Sequence, residues 1–166
     1  ETGGGSVCEV ETRDDDFAIG LSKSGMLVRA TFVSADPAPP IKGDNTWVLD
    51  LSTGGRVLIQ LRPDKAPNHV ERIKTLTRQG FYNGLTFHRV IDGFMAQGGD
   101  PKGDGSGGSP LPDLKAEFSP YPFFRGTVAA ARTDQPDTAN SQFFIMLVPN
   151  WQLDGKYTVF GRVISG

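Results

Sequence analysis

The chain has 166 residues, 37% of them hydrophobic and 22% charged, with a formal net charge of −2. That is enough for one domain with a sizeable core and argues against disorder, while the near-neutral balance and the lack of a Lys/Arg cluster argue against a nucleic-acid partner. The lone Cys8 closes no internal disulfide, no Cys/His spacing reads as a zinc site, and no apolar run reaches the roughly 18 residues of a membrane span.

With 21 Gly and 12 Pro, the chain is predicted to be mainly β, rich in turns and poor in helices. Residues 1–6 read as a processed secreted start or an expression leftover, and are set apart from the fold. Residues 7–44 form a second segment. In it Phe17 to Leu21 and Met26 to Val33 predict a β-hairpin turning at Ser24-Gly25. Three prolines from Pro37 to Pro40 then predict an extended, polyproline-like connector ending at Asp44.

From residue 45 the chain reads as a third unit, 45–166. Trp47 to Leu51, a turn at Thr53-Gly54-Gly55, and Val57 to Leu61 predict a second hairpin. Val70, Ile73 and Leu76 recur at helical spacing behind Pro67, predicting one amphipathic helix over about 67–79 that stops at Gly80 and covers one end of a β-barrel. His69 in its first turn is expected to be a solvated or capping side chain rather than a ligand.

Between Phe87 and Asp100 the composition narrows to a site. Val90 and Ile91 suit a strand and Asp92-Gly93 a turn, so Arg89 and Gln97 are expected on neighbouring segments around the apolar Phe94-Met95 pair. Such a patch holds an apolar group and a carbonyl together, although taken alone Phe94 and Met95 also suit a core and Arg89 a surface cation. The Gly-rich run Gly98 to Ser109 lacks the Gly-Lys-Ser/Thr of a phosphate cradle and the closing glutamate of a calcium loop; it is expected to be a binding rim.

Together with Thr138-Ala139-Asn140-Ser141-Gln142-Phe143-Phe144-Ile145 and Leu153-Asp154-Gly155-Lys156-Tyr157 through Phe160-Gly161-Arg162-Val163, this stretch resembles the cyclophilin family of peptidyl-prolyl isomerases. The resemblance runs from about Asn45 to Gly166. It implies a cyclophilin-like antiparallel barrel, no cofactor and no metal. It implies Arg89 and Gln97 as catalytic residues, with Phe94, Met95, Arg132, Gln142, Phe144, Trp151, Leu153 and Tyr157 binding a proline-containing peptide or unfolded protein. Ala130 stands where the family commonly has methionine, Thr133 where it has alanine, and Tyr157 where many members have histidine. Gln152 separates Trp151 from Leu153, which predicts an indole displaced from the groove rim.

The family's second helix and closing strand would follow Val163, so an open barrel is expected, closed by the amino-terminal hairpin through pairing with Thr46–Leu51 or Thr158–Ile164. The product would be a monomer or a strand-exchanged dimer. Leu27 to Trp47 also resembles small secreted β-sandwich domains of the YtkA-like kind, which leaves open a chimera or a family-specific extension. The expected setting is secreted or periplasmic if the chain is natural, otherwise cytoplasmic or recombinant. Beside an isomerase, two alternatives stand: a non-catalytic proline-peptide binding module, and a recombined or designed fold built from cyclophilin sequence.

Overall fold

A computed structural model describes residues 17–21, 28–32 and 45–166. The expectations for Cys8, residues 1–6, the turn at Ser24-Gly25 and the polyproline connector lie outside these residues. The chain divides into two compact units, Glu1–Pro40 and Ile41–Gly166. In the first, β1 (Phe17–Leu21) pairs antiparallel with β2 (Val28–Phe32), Ile19 opposite Ala30.

The second unit is a seven-stranded antiparallel sheet curled into a half-barrel, with one α-helix. Its strands are β3 (Thr46–Asp50), β4 (Arg56–Leu61), β5 (Arg89–Ile91), β6 (Met95–Gly98), β7 (Thr127–Ala130), β8 (Phe143–Met146) and β9 (Val159–Ser165). They lie in the order β3-β4-β9-β7-β8-β6-β5. β9 is therefore an interior strand whose two edges are occupied by β4 and β7, and β1 and β2 form a two-stranded sheet of their own. The expected pairing of the hairpin with β9 or β3 is accordingly not among the strand pairs of the described residues.

Because side chains alternate along a strand, each central strand feeds two apolar layers. Val128, Ala130, Phe143 and Phe160 join Trp47, Ile59 and Leu61 in one. Their sequence neighbours Ala129, Phe144 and Val159 join Met95, Met146 and Phe123 in the other. The first layer receives helix α1 (Pro67–Arg78), which starts on Pro67 and buries Val70 and Ile73 there. Fully burying side chains of this size contributes about 1.5–3 kcal/mol each, so this layer is the main stabilising core.

The amino-terminal end of α1 corrects one expectation. Ala66 at the cap position offers no side-chain bond; instead Glu117, nearly fifty residues away, accepts the backbone N–H of Asn68 at 3.2 Å and of His69 at 3.1 Å. His69 is buried, not solvated, and its ring Nδ1 lies 2.6 Å from the same carboxylate. Arg72, one turn further on, is also buried and donates to the Pro112 carbonyl at 2.6 Å.

Candidate functional site

The second apolar layer is where most of the expected site residues gather. The Asp92-Gly93 turn, with Gly93 at φ +65° and Phe94 N–H bonded back to the Ile91 carbonyl at 3.1 Å, folds β5 onto β6 so that Arg89 faces Gln97. Gln97 in turn faces Phe144, Phe144 faces Ala129, and Ala129 faces Val159. Cross-strand partners share a face of the sheet, so one row runs from a cation at the edge through an amide to an aromatic ring. The next row is Ile91, Met95 and Met146.

Phe94, Met95, Phe144, Leu153 and Tyr157, the residues expected to hold a proline ring, all belong to one apolar cluster. Phe144 is held from two sides: Phe123 stacks on it at 6.1 Å and Tyr157 meets it edge-on at 5.5 Å. Such ring pairs add about 0.5–1.5 kcal/mol beyond their buried area, so the ring is fixed. Phe123, fully buried behind Phe144, and Tyr121 beside it are lining residues that sequence reasoning missed. Their stretch, Phe118 to Phe124, contains no regular element, and no periodicity marks it.

The polar rim is a chain of hydrogen bonds. Arg89, exposed, donates from a terminal nitrogen to Gln97 Oε1 at 3.3 Å; Gln97 Nε2 donates to Gln142 Oε1 at 2.9 Å; and Gln142 Nε2 donates to the carbonyls of Gly105 at 2.9 Å and Gly107 at 2.7 Å. Arg132 bridges two loops by donating to the Lys156 and Thr133 carbonyls, both at 2.8 Å, and its guanidinium sits 4.5 Å from the centre of the Tyr157 ring. Thr133 bonds Thr138 across that loop at 2.8 Å, so its hydroxyl closes the loop. Gln97, Gln142, Arg132, Thr133, Asn140 and the Gly-rich stretch enclose a polar pocket of about 400 Å³ beside the apolar cluster. Trp151 is 55% exposed and packs edge-on against Phe124 at 5.1 Å; it is not part of the cluster that holds Leu153.

The Gly-rich stretch is built rather than loose. Gly99 takes φ +84°, and a side chain there would run into the Ser141 carbonyl, so only glycine fits. Asp100 is 1% exposed. Burial alone would raise its carboxyl, but backbone N–H groups of Lys102, Gly105, Gly107 and Asp104 together hold it below the usual carboxylate range. No group of three or more His, Cys, Asp or Glu among the described residues is placed to hold a metal ion.

A half-barrel carrying this row of cation, amide and aromatic cup is the arrangement of a peptide-binding isomerase. The family model for cyclophilin-type peptidyl-prolyl cis-trans isomerases matches residues 48–166, and the chain belongs to that family. It is 52% identical over 147 residues to a probable peptidyl-prolyl cis-trans isomerase of Brucella suis, covering 82% of this chain and 71% of that one. It is 44% identical over 118 residues to peptidyl-prolyl cis-trans isomerase B of Bacillus subtilis, covering 70% of this chain and 81% of that one. Among solved structures, a cyclophilin from Hirschia baltica superposes with a TM-score of 0.69 at 30% identity, over 76% of this chain and 66% of that chain. A Cryptosporidium parvum cyclophilin-type isomerase, crystallised in the presence of the dipeptide Ala-Pro, does so with a TM-score of 0.65 at 34% identity, over 68% of this chain and 74% of that chain.

Proposed function

We propose that this chain catalyses cis-trans isomerisation of X-Pro bonds in extended or unfolded polypeptides, with Arg89 acting on the twisted amide. Amide resonance sets a barrier of roughly 18–20 kcal/mol, and lowering it needs no nucleophile. It needs a site that binds the twisted amide better than either planar form. On twisting, the proline nitrogen regains a lone pair, and a fixed cationic donor aimed at it stabilises that state alone.

The observation that carries this reading is the row Arg89, Gln97, Phe144 on one face of the sheet. With neighbouring strands about 4.8 Å apart, a proline ring resting on Phe144 lies within reach of the Arg89 side chain two strands over. Phe94, Met95, Leu153 and Tyr157 complete the cup. A glutamine at this place can donate to substrate or hold Arg89; with Oε1 toward Arg89 and Nε2 toward Gln142, the second role is favoured for Gln97. A planar, permanently charged guanidinium needs no proton movement to act. One preorganised donor in a partly dry site is worth roughly 3–4 kcal/mol, about two to three decades in rate.

A protease-coupled isomerisation assay on Ala-Pro peptides tests the proposal. Catalysed isomerisation that saturates with peptide concentration is expected; a rate equal to the uncatalysed one, from protein with a cooperative melt, would overturn it.

A further inference from the structure

We propose that Asp100 is a positioning residue for this reaction: by shaping the Gly-rich loop it turns the Gly105 and Gly107 carbonyls onto Gln142, which sets the direction of two side-chain amides and thereby aims Arg89. The inference rests on the role given to Arg89 above.

The reasoning runs from donors and acceptors. A glutamine amide can be turned either way, and only its partners decide which end is oxygen. The Gly105 and Gly107 carbonyls accept and cannot donate, so they take the Nε2 end of Gln142, at 2.9 and 2.7 Å. This leaves Gln142 Oε1 for Gln97, which must then present its own Nε2, at 2.9 Å. Gln97 Oε1 is thereby left for Arg89, whose guanidinium only donates. The two loop carbonyls set the polarity of the chain at one end, and it matches the donor-only guanidinium at the other.

Those carbonyls are held by Asp100. Its Oδ1 accepts from Lys102 N–H at 2.8 Å and its Oδ2 from Asp104 N–H at 3.1 Å and Gly105 N–H at 2.6 Å, with the Gly107 N–H joining them. A side chain at Gly107 would run into the same carboxylate, so the loop closes tightly around it. The loop ends are anchored independently. Ser141 Oγ donates to the Gly99 carbonyl at 2.8 Å, and Ser109 donates from N–H and Oγ to Asn140 Oδ1 at 2.8 and 2.7 Å. What remains for Asp100 to define is the middle of the loop, where the two carbonyls lie. The hydrogen bonds of the Asp100 carboxylate run to backbone N–H groups of the loop, so it acts through the amides that the loop carbonyls orient.

The test is Asp100→Asn, which keeps the shape but replaces one acceptor oxygen by a donor. We measure kcat, KM and Tm, follow the side-chain amide signals of Gln97 and Gln142 by ¹⁵N NMR, and repeat the kinetics in a Gln142→Ala background. The expected result is kcat lower by roughly 10- to 100-fold with KM within about twofold and shifted Gln97 amide signals, since small misplacement of a positioned group costs about this much. In the Gln142→Ala background the same substitution should change kcat by less than about twofold, because the relay is already cut. Parent-like kcat in Asp100→Asn, or an equal loss in both backgrounds, overturns the proposal. If Asp100→Asn does not melt cooperatively, Gln142→Ala alone decides, because it leaves the carboxylate and its loop in place: loss of kcat supports the relay and parent-like kcat overturns it. Arg89→Ala separates the two readings. Undiminished kcat there removes the role of Arg89, whereas loss of kcat there with none in Asp100→Asn removes only the relay.

Discussion

Phe143 and Phe144 are adjacent in sequence and belong to different regions of the molecule. Phe143 faces the layer covered by α1, packed edge-on against Trp47 at 4.9 Å. Phe144 faces the layer edged by Gln97 and Arg89. Both are buried, and by composition they are the same residue. The difference lies in what covers each face: a helix with a continuous apolar stripe on one side, and on the other a short 3-10 turn ending at Leu153 and loop segments bearing Phe123 and Tyr157, with a polar rim. The period-two alternation of a strand thus lets one element serve the helix-covered core on one face and the proposed site on the other.

If this division is right, breaking the helix-covered face should cost stability and leave the chemistry of the folded fraction alone. Phe160→Ala, at a ring 1% exposed, should destabilise by about 3–5 kcal/mol, read as a lower denaturation midpoint. kcat per folded molecule should stay at the parent value; a proportionate fall in kcat would mean that the two faces are coupled.

The α1 terminus gives a smaller effect and a pH signature. Glu117→Gln weakens the acceptor for two helix N–H groups and should cost about 1–2 kcal/mol, read by Tm. Burial lowers the His69 pKa more than the Glu117 carboxylate raises it, so the folded protein keeps this ring neutral. Burial raises the Glu117 carboxyl, but bonds from His69 and Asn68 outweigh it and hold the pKa low. Both groups thus bind protons more weakly folded than unfolded. The stability they contribute is present at neutral pH and should fall first as the pH drops below about 6.5, where an unfolded histidine charges. Activity should not follow: no acid or base takes part in the proposed mechanism, so kcat should be flat between about pH 6 and 8. A bell-shaped kcat profile in that window would point to His88, next to Arg89, as a participant.

The smallest effect is expected at Trp151. Half exposed and touching Phe124 edge-on, its indole contributes little beyond that ring pair, so Trp151→Ala should shift stability by no more than about 1 kcal/mol. A large loss of peptide affinity, measured by titration calorimetry, would return the indole to the groove.

Much of this architecture was legible because it is written locally. β-branched runs marked β3, β4 and β9, and Pro67 with its apolar spacing marked α1. The Asp92-Gly93 turn set Arg89 opposite Gln97 before any other strand was placed. What escaped depends on distant chain segments. β7 contains two alanines, a residue depleted in strands, and is recruited by its neighbours β8 and β9. The partner of the α1 terminus lies nearly fifty residues away, where no capping signal reaches, and Phe123 lies in a segment without period. Asp100 was visible only as part of a rim. Its Asp-Pro-Lys-Gly-Asp-Gly context signals a turn, but that its backbone bonds converge on one carboxylate is a fact of three dimensions.

The central claim is that the cation at the sheet edge acts on the transition state and not on the fold or the bound peptide. Arg89→Ala, assayed for kcat, KM and Tm in one preparation, tests it most directly. The account predicts kcat lower by roughly 10² to 10³-fold, with KM and Tm close to the parent. An Arg89→Ala protein that isomerises prolyl peptides as fast as the parent, or that loses activity only by losing its cooperative melt, would contradict it.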